Sequence, residues 1–269
     1  MKKNIILFIA LLGVITNTYS RTGAGFSTTG SPSSQAVTFS GTATVTEISP
    51  SSGVLAAYST SVDGPGSGRY ILKTSATSTG DPAITINNDN VEIDLGGHNL
   101  DGASADEVGI KINAGFSNIT IKNGGISNFT KKAIEAEDNN NCNIRIENIH
   151  ITDCNATGIS FLGSDGGENK GIIIKDCTIN GNTGENSVTL ATEHGTAAKG
   201  IHLQYCEGIL VEDTIISGMK AAANTYCHGV LLDTCTDVTL VNTASTAHES
   251  NEYCYAFTVT SSSGILFDS

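Results

Sequence analysis

The chain has no tryptophan, two methionines, four prolines and only 6% aromatic residues across its 269 positions. Charge is scarce as well: 15% of residues are charged, against the ~25% usual in soluble domains. Basic residues are the scarcest part of it, 14 against 27 acidic ones, for a formal charge of −13. That balance argues against nucleic acid or an anionic membrane surface as a partner. Acidic sugars stay admissible where calcium bridges the like charges. Cys-x-x-Cys and His-x-x-x-His spacings are absent, which argues against zinc and leaves no metal ligands to assign. Helical periodicity is absent throughout residues 21–269. With 39% hydrophobic residues, however, the chain is too apolar to be disordered.

Apolar runs are short. Ile5 to Ile15, behind Met1-Lys2-Lys3 and ahead of Thr18-Tyr19-Ser20, has the length and flanks of a signal peptide, so residues 1–20 are expected to direct export. Their loss would leave 12 basic against 27 acidic residues, a charge of −15. Past this segment no apolar run exceeds about 10 residues, too few to span a membrane. The mature chain is therefore expected to be secreted or held at the cell surface. Residues 21–66 are rich in Ser, Thr and Gly and read as a linker that can hold short strands, at Val37–Ser40 and Thr42–Ile48, with Val54-Leu55 and Tyr58 adding contacts.

What is abundant is repetition. A small residue followed by an apolar one recurs at Ala83-Ile84, Gly109-Ile110, Ala133-Ile134, Gly158-Ile159, Gly200-Ile201, Gly229-Val230 and Ala256-Phe257, at spacings of 26, 24, 25, 42, 29 and 27 residues. A second strand follows each opening, as in Val91-Glu92-Ile93, Ile119-Thr120-Ile121, Ile144-Arg145-Ile146 and Ile172-Ile173-Ile174. A short third strand is marked by Ile126, Ile151, Ile179 and Ile216. Each strand alternates with period two. Three short strands in about 25 residues cannot bury a face alone, but stacked repeats can. The expected fold is all-β: a right-handed parallel β-helix of about seven rungs with three short strands per rung, covering residues 67–269. Asn123, Asn148, Asp176, Asp213 and Asn242 share one register after the second strand, where such side chains tolerate a left-handed turn.

These features resemble the right-handed parallel β-helix proteins of the pectin-lyase-like superfamily. Val91-Glu92-Ile93-Asp94-Leu95-Gly96-Gly97-His98-Asn99-Leu100 is similar to the segment that often opens such helices, with Gly96 where Asn is usual, and Gly68–Leu72 resembles the strand that leads into it. The resemblance implies a polysaccharide or cell-surface glycan as partner, bound along the first-strand face. It implies a lyase, hydrolase or epimerase if there is chemistry. The motifs of the pectin-cleaving relatives, Asn-Thr-Asp, Asp-Asp, Gly-His-Gly and Arg-Ile-Lys, are missing, and Arg145 falls on the second-strand face, so a pectinase is disfavoured. Two methionines make copper delivery a thin case. A non-enzymatic adhesin and a structural rod or spacer stay open.

The outward columns of the first-strand face run Thr85, Lys111, Glu135, Ser160, His202, Leu231, Thr258 and Asn87, Asn113, Glu137, Leu162, Gln204, Asp233, Thr260. Long insertions after Ile179 and Ser217 flank this face, where function concentrates. Glu193, His194, His202, His228 and Asp233 are the candidate catalytic set, since a carboxylate with a histidine is an acid–base pair for glycan cleavage or epimerisation. Lys111, Glu135, Glu137 and Gln204 are candidate substrate-binding residues. On the second strand, Asp94, Lys122, Glu147, Lys175 and Glu212 alternate in sign and read as a register-fixing ladder. Cys206 shares a register with Cys235, and Cys227 with Cys254. Disulfides and reduced thiol ladders are both open for these pairs, the ladder being preferred because parallel side chains do not easily reach a disulfide torsion of about 90°. The last repeat stops at Ser269 after its second strand. An uncapped end exposes ladder edges, so either the native chain is expected to continue or this end docks on a partner, self-association included.

Overall fold

The computed structural model describes residues 45–104, 107–137, 140–183, 198–221, 226–246, 248–249 and 254–268. The leader at 1–20 and the strand expected at Val37–Ser40 lie outside the described residues. Every element assigned is a β-strand, and every ladder between strands is parallel. Among the described residues no helix is long and apolar enough to cross a membrane. The strands wind into a β-helix with an 8-stranded sheet and a 15-stranded sheet.

The 8-stranded sheet is the first-strand face. It steps through Tyr58–Ser59, Ile84–Ile86, Val108–Ile112, Lys132–Glu137, Thr157–Leu162, Ala198–Gln204, Cys227–Asp233 and Cys254–Thr260. All seven small-plus-apolar openings start or lie in consecutive strands of it. Ile110, Ile134, Ile159, Ile201, Val230 and Phe257 stack directly on one another. The second strands stack the same way, with Val91, Ile119, Ile144, Ile172, Ile209, Val238 and Ile265 in one column. Two further rungs precede Val91 in this sheet: Val45–Ile48 pairs with Gly68–Leu72, which pairs in turn with Val91–Asp94. The ladders thus run back to Val45, into the stretch whose composition reads as linker. In two middle rungs the second and third strands fuse into 11-residue elements, Ser117–Ser127 and Cys142–Thr152.

The small residue at each opening has a packing cause. A Cβ on Gly158 would stand 2.7 Å from Ile179 Cγ2, and one on Gly200 would stand 2.4 Å from Ile216 Cγ2. The third-strand isoleucines already occupy the space behind the first strand. Phe129, Cys154 and Met219 share a register past the third strand, and all are fully buried.

Each rung bends at left-handed residues, and these residues form columns. Asn123, Asn148, Asp176, Asp213 and Asn242 all have φ between 45° and 59°. Asn148 Nδ2 donates to Asn123 Oδ1 at 3.2 Å, Asn123 Nδ2 to Asp94 Oδ1 at 3.2 Å, and Asn242 Nδ2 to Asp213 Oδ1 at 2.6 Å. A second column, not singled out in the sequence, enters the second strand through Asn90, Asn118, Asn143, Gly171, Gly208, Asp237 and Gly264. In it Asn143 donates to Asn118 and Asn118 to Asn90, both at 3.0 Å.

The charged column holds its register: Lys122 lies beside Asp94 and Glu147, and Lys175 beside Glu147 and Glu212. Its ion pairs are only partly along the column. Lys175 reaches Glu212 at 2.7 Å, but Lys122 turns to Glu92 at 2.9 Å, and Glu92 also takes Arg69 at 2.7 Å. Of the cysteine pairs, Cys227–Cys254 is a disulfide, which corrects the preferred thiol ladder at that position. A parallel ladder brings the two Cα atoms to 4.6 Å, within bridging range. Cys206 and Cys235 are buried free thiols. Leu266 and Phe267, in the last described strand, are about half exposed.

The corners can be tested by substitution. Asn123→Ala loses the left-handed preference (about 1–2 kcal/mol) and two ladder bonds, and is expected to destabilise the chain by about 2 kcal/mol. Asn123→Gly keeps the turn and should cost less. Equal urea midpoints for Asn123→Ala and wild type would contradict this. A second prediction concerns His248, where the Met219 N–H donates to Nδ1 at 3.4 Å, so that Nε2 carries the proton toward Ser245 Oγ at 2.7 Å. Burial holds this imidazole below its ordinary 6.5. The unfolded chain then binds the proton more readily, so stability is present above pH 6.5 and falls as the pH drops below it. His248→Gln should flatten that part of the stability–pH curve relative to wild type.

Candidate functional site

Side chains that alternate inward on the first-strand sheet build the core, so those between them must point out. Polar residues are expected to be wet there. In the middle rungs they are not: Glu135 is 4% exposed, Ser160 0% and Lys199 7%. Burying a carboxylate requires paired charge. Glu135 has it on both sides, from Lys132 Nζ at 2.5 Å on its own strand and from Lys111 Nζ at 3.6 Å one rung earlier.

The register places the rest. Lys111, Glu135, Ser160 and His202 are successive neighbours in one outward column. At ~4.8 Å per rung, Glu135 and His202 are about 10 Å apart, with Ser160 between them. Among the described residues the Ser160 hydroxyl has no hydrogen-bond partner. A parallel column, one residue ahead of each small residue, runs Lys132, Thr157, Lys199, His228 and Tyr255. Three lysines and two histidines thus line up along these two columns, while Lys122 and Lys175 stand on the second-strand face.

Of the candidate catalytic residues, Glu193 and His194 lie outside the described residues. His202 stands in the central column. His228 is held by its surroundings: Nδ1 lies 2.8 Å from Thr258 Oγ1, and the ring stacks on Tyr255 with centroids 5.5 Å apart. Asp233 is also engaged, accepting from Gln204 Nε2 at 2.8 Å and from Thr234 Oγ1 at 3.1 Å. The binding candidates divide in the same way. Lys111 and Glu135 come together, Gln204 is joined to Asp233, and the backbone of Glu137 pairs with Leu162 in the next column. Among the described residues no group of three or more His, Cys, Asp or Glu side chains converges as a metal site.

Lys132 was not among the candidates, although it completes the clamp on Glu135. Its signal was present in the sequence: Lys132, Lys199 and His228 each stand directly before the small residue of an opening pair. Ser160 lies in the outward column but carries no charge, and its burial depends on neighbouring rungs.

No family model matches the chain, and no curated protein does. Solved structures do. An alginate lyase from Paenibacillus sp. str. FPU-7 is similar at 13% identity and TM-score 0.42, over 79% of this chain and 85% of that one. The A-module of mannuronan C-5 epimerase AlgE6 from Azotobacter vinelandii is similar at 13% identity and TM-score 0.29, over 84% and 89%. ORF18 of Geobacillus virus E2 is similar at 12% identity and TM-score 0.30, over 80% of this chain and 53% of that one. At these identities the likeness is one of fold.

An unpartnered buried hydroxyl costs its desolvation. Ser160→Ala is expected to raise stability by about 1 kcal/mol, read as a higher urea midpoint. A loss of stability would mean that the hydroxyl is partnered in solution.

Proposed function

We propose that the first-strand face binds a polysaccharide or surface glycan along the rungs and processes it, by lyase, hydrolase or epimerase chemistry. The observation that carries this is the burial, on an outward face, of Glu135 between Lys111 and Lys132, in line with Ser160 and His202. Outward side chains contribute nothing to the core, so a buried, charge-compensated set among them supports a site. A rigid parallel ladder offers such a site at a fixed repeat, which suits a repeating ligand.

In this reading His202 exchanges a proton with the sugar ring or its leaving oxygen, as a histidine can near neutral pH. Lys111 and Lys132 hold the Glu135 carboxylate in place and present positive charge to an acidic sugar or to a developing oxyanion. Calcium, where a substrate brings further carboxylates, would bridge them to the acids of the chain. Export and a place at the cell surface belong to the same proposal and rest on residues 1–20. One observation favours a binding module without chemistry: His228 and Asp233 are already engaged by Thr258, Tyr255 and Gln204, which leaves a smaller acid–base set.

The test is a panel of neutral and acidic polysaccharides, assayed for unsaturated products and for new reducing ends, with and without calcium. An epimerase is sought by the change in sugar composition. On a substrate that is turned over, His202→Ala should lower the rate by about 10²-fold or more. Unchanged turnover would remove His202 from the mechanism. Retention of a glycan on the immobilised chain with no product would favour the binding module.

A further inference from the structure

The turn that enters the second-strand sheet carries an inward column separate from the first-strand face. It runs Asn141, Asn169, Cys206, Cys235 and Ser262, one residue per rung, as the pairings of the adjoining strands require. Asn169 and Ser262 play one role in it, in which a side-chain acceptor on one rung takes the backbone N–H of the rung before it. Asn169 Oδ1 accepts from the Asn141 N–H at 3.2 Å, and Ser262 Oγ accepts from the Cys235 N–H at 2.9 Å. Between them Cys206 and Cys235 stand in register on neighbouring rungs.

The thiols also point the same way. Cys206 Sγ approaches the carbonyls of Gln204 at 3.4 Å and Phe161 at 3.6 Å. Cys235 Sγ approaches those of Asp233 at 3.4 Å and Leu203 at 3.3 Å, the equivalent positions one rung on. Cys227 and Cys254 stand in the same one-rung relation, in register on neighbouring parallel strands, and are bridged with their Cα atoms 4.6 Å apart.

We propose that Cys206 and Cys235 close a second inter-rung disulfide when the chain folds in the presence of a low-molecular-weight disulfide. The Cys235 sulfur attacks one sulfur of the oxidant. The oxidant's S–S bond breaks, and the first leaving thiolate takes up the proton that Cys235 gave up. Cys206 then loses its proton and attacks Cys235 Sγ in the mixed disulfide, expelling the second thiolate, which takes up that proton. Two protein thiols are oxidised to one disulfide, and one small disulfide is reduced to two thiols. The bridge would tie the rung of His202 and Gln204 to the rung of Asp233. The Cys227–Cys254 bridge already ties the latter to the next, so three consecutive rungs of the first-strand face would be cross-linked.

The whole chain is refolded from urea in oxidised glutathione, blocked with an alkylating agent and mapped by non-reducing digestion. A peptide linking Cys206 to Cys235 is expected beside the Cys227–Cys254 peptide. Its yield should collapse when the same oxidation is run in concentrated urea, where the rungs are not stacked. The oxidised chain should unfold at a higher urea concentration than the Cys206→Ser, Cys235→Ser double variant. Recovery of Cys206 and Cys235 as free thiols, as two separate glutathione adducts, or joined to Cys142 or Cys177 would overturn the proposal. The wild-type map decides this even if the double variant does not fold.

Discussion

Parallel in-register pairing sets each residue about 4.8 Å from the residue at the same place one turn earlier, and the rest of this molecule follows from that repeat. A side chain therefore meets its own kind or a deliberate complement. Ile119 lies on Ile144 and Ile144 on Ile172, which makes a dry column without any long-range search for partners. At the corners the backbone must turn left-handed in every rung. Asn, Asp and Gly tolerate that conformation, and a column of Asn can also donate along the stack, as Asn143 and Asn148 do. The abundant glycine and scarce aromatics are the compositional trace of these corners and of a narrow interior.

The same repeat shapes the candidate site. Outward residues of the first-strand sheet cannot gather from distant parts of the chain, as they would in an ordinary globular enzyme. Along the ladder they meet residues of nearby rungs. Glu135 is clamped by Lys132 of its own strand and Lys111 of the strand before, and His202 comes no nearer than two rungs away. Average charge says little about such a face. The chain is acidic overall, yet Lys111, Lys132, Lys199, His202 and His228 share one side of it.

Much of this was legible in the sequence because a ladder converts spacing into contact. The small-plus-apolar openings marked the registers of the first strands, and the Asn123 column marked a left-handed corner in each rung. What spacing alone does not carry is the choice among partners in reach. Lys122 has Asp94 and Glu147 beside it and still turns to Glu92, because side-chain length and direction decide at that scale. Cys227 and Cys206 have the same kind of neighbour, and only one of them is bridged. Before Gly68 the Ser, Thr and Gly composition resembles linker, yet the short apolar runs inside it pair like any other rung, at Val45–Ile48, Val54–Leu55 and Tyr58–Ser59. The burial of Glu135 and Ser160 depends on side chains of neighbouring rungs, and no local pattern encodes that.

The core also gives each rung an address. Phe161 lies between Ala136 and Leu203, and Phe129 lies where a Cβ on Gly102 would come within 2.6 Å of its ring. Each large ring is accommodated by a small residue on one side, Ala136 beside Phe161 and Gly102 beside Phe129. A duplicated rung would set Phe161 over Phe161 and overfill the interior, while an excised one would leave a gap. The chain looks modular from its period, but its turns are no more interchangeable than the blocks of an arch.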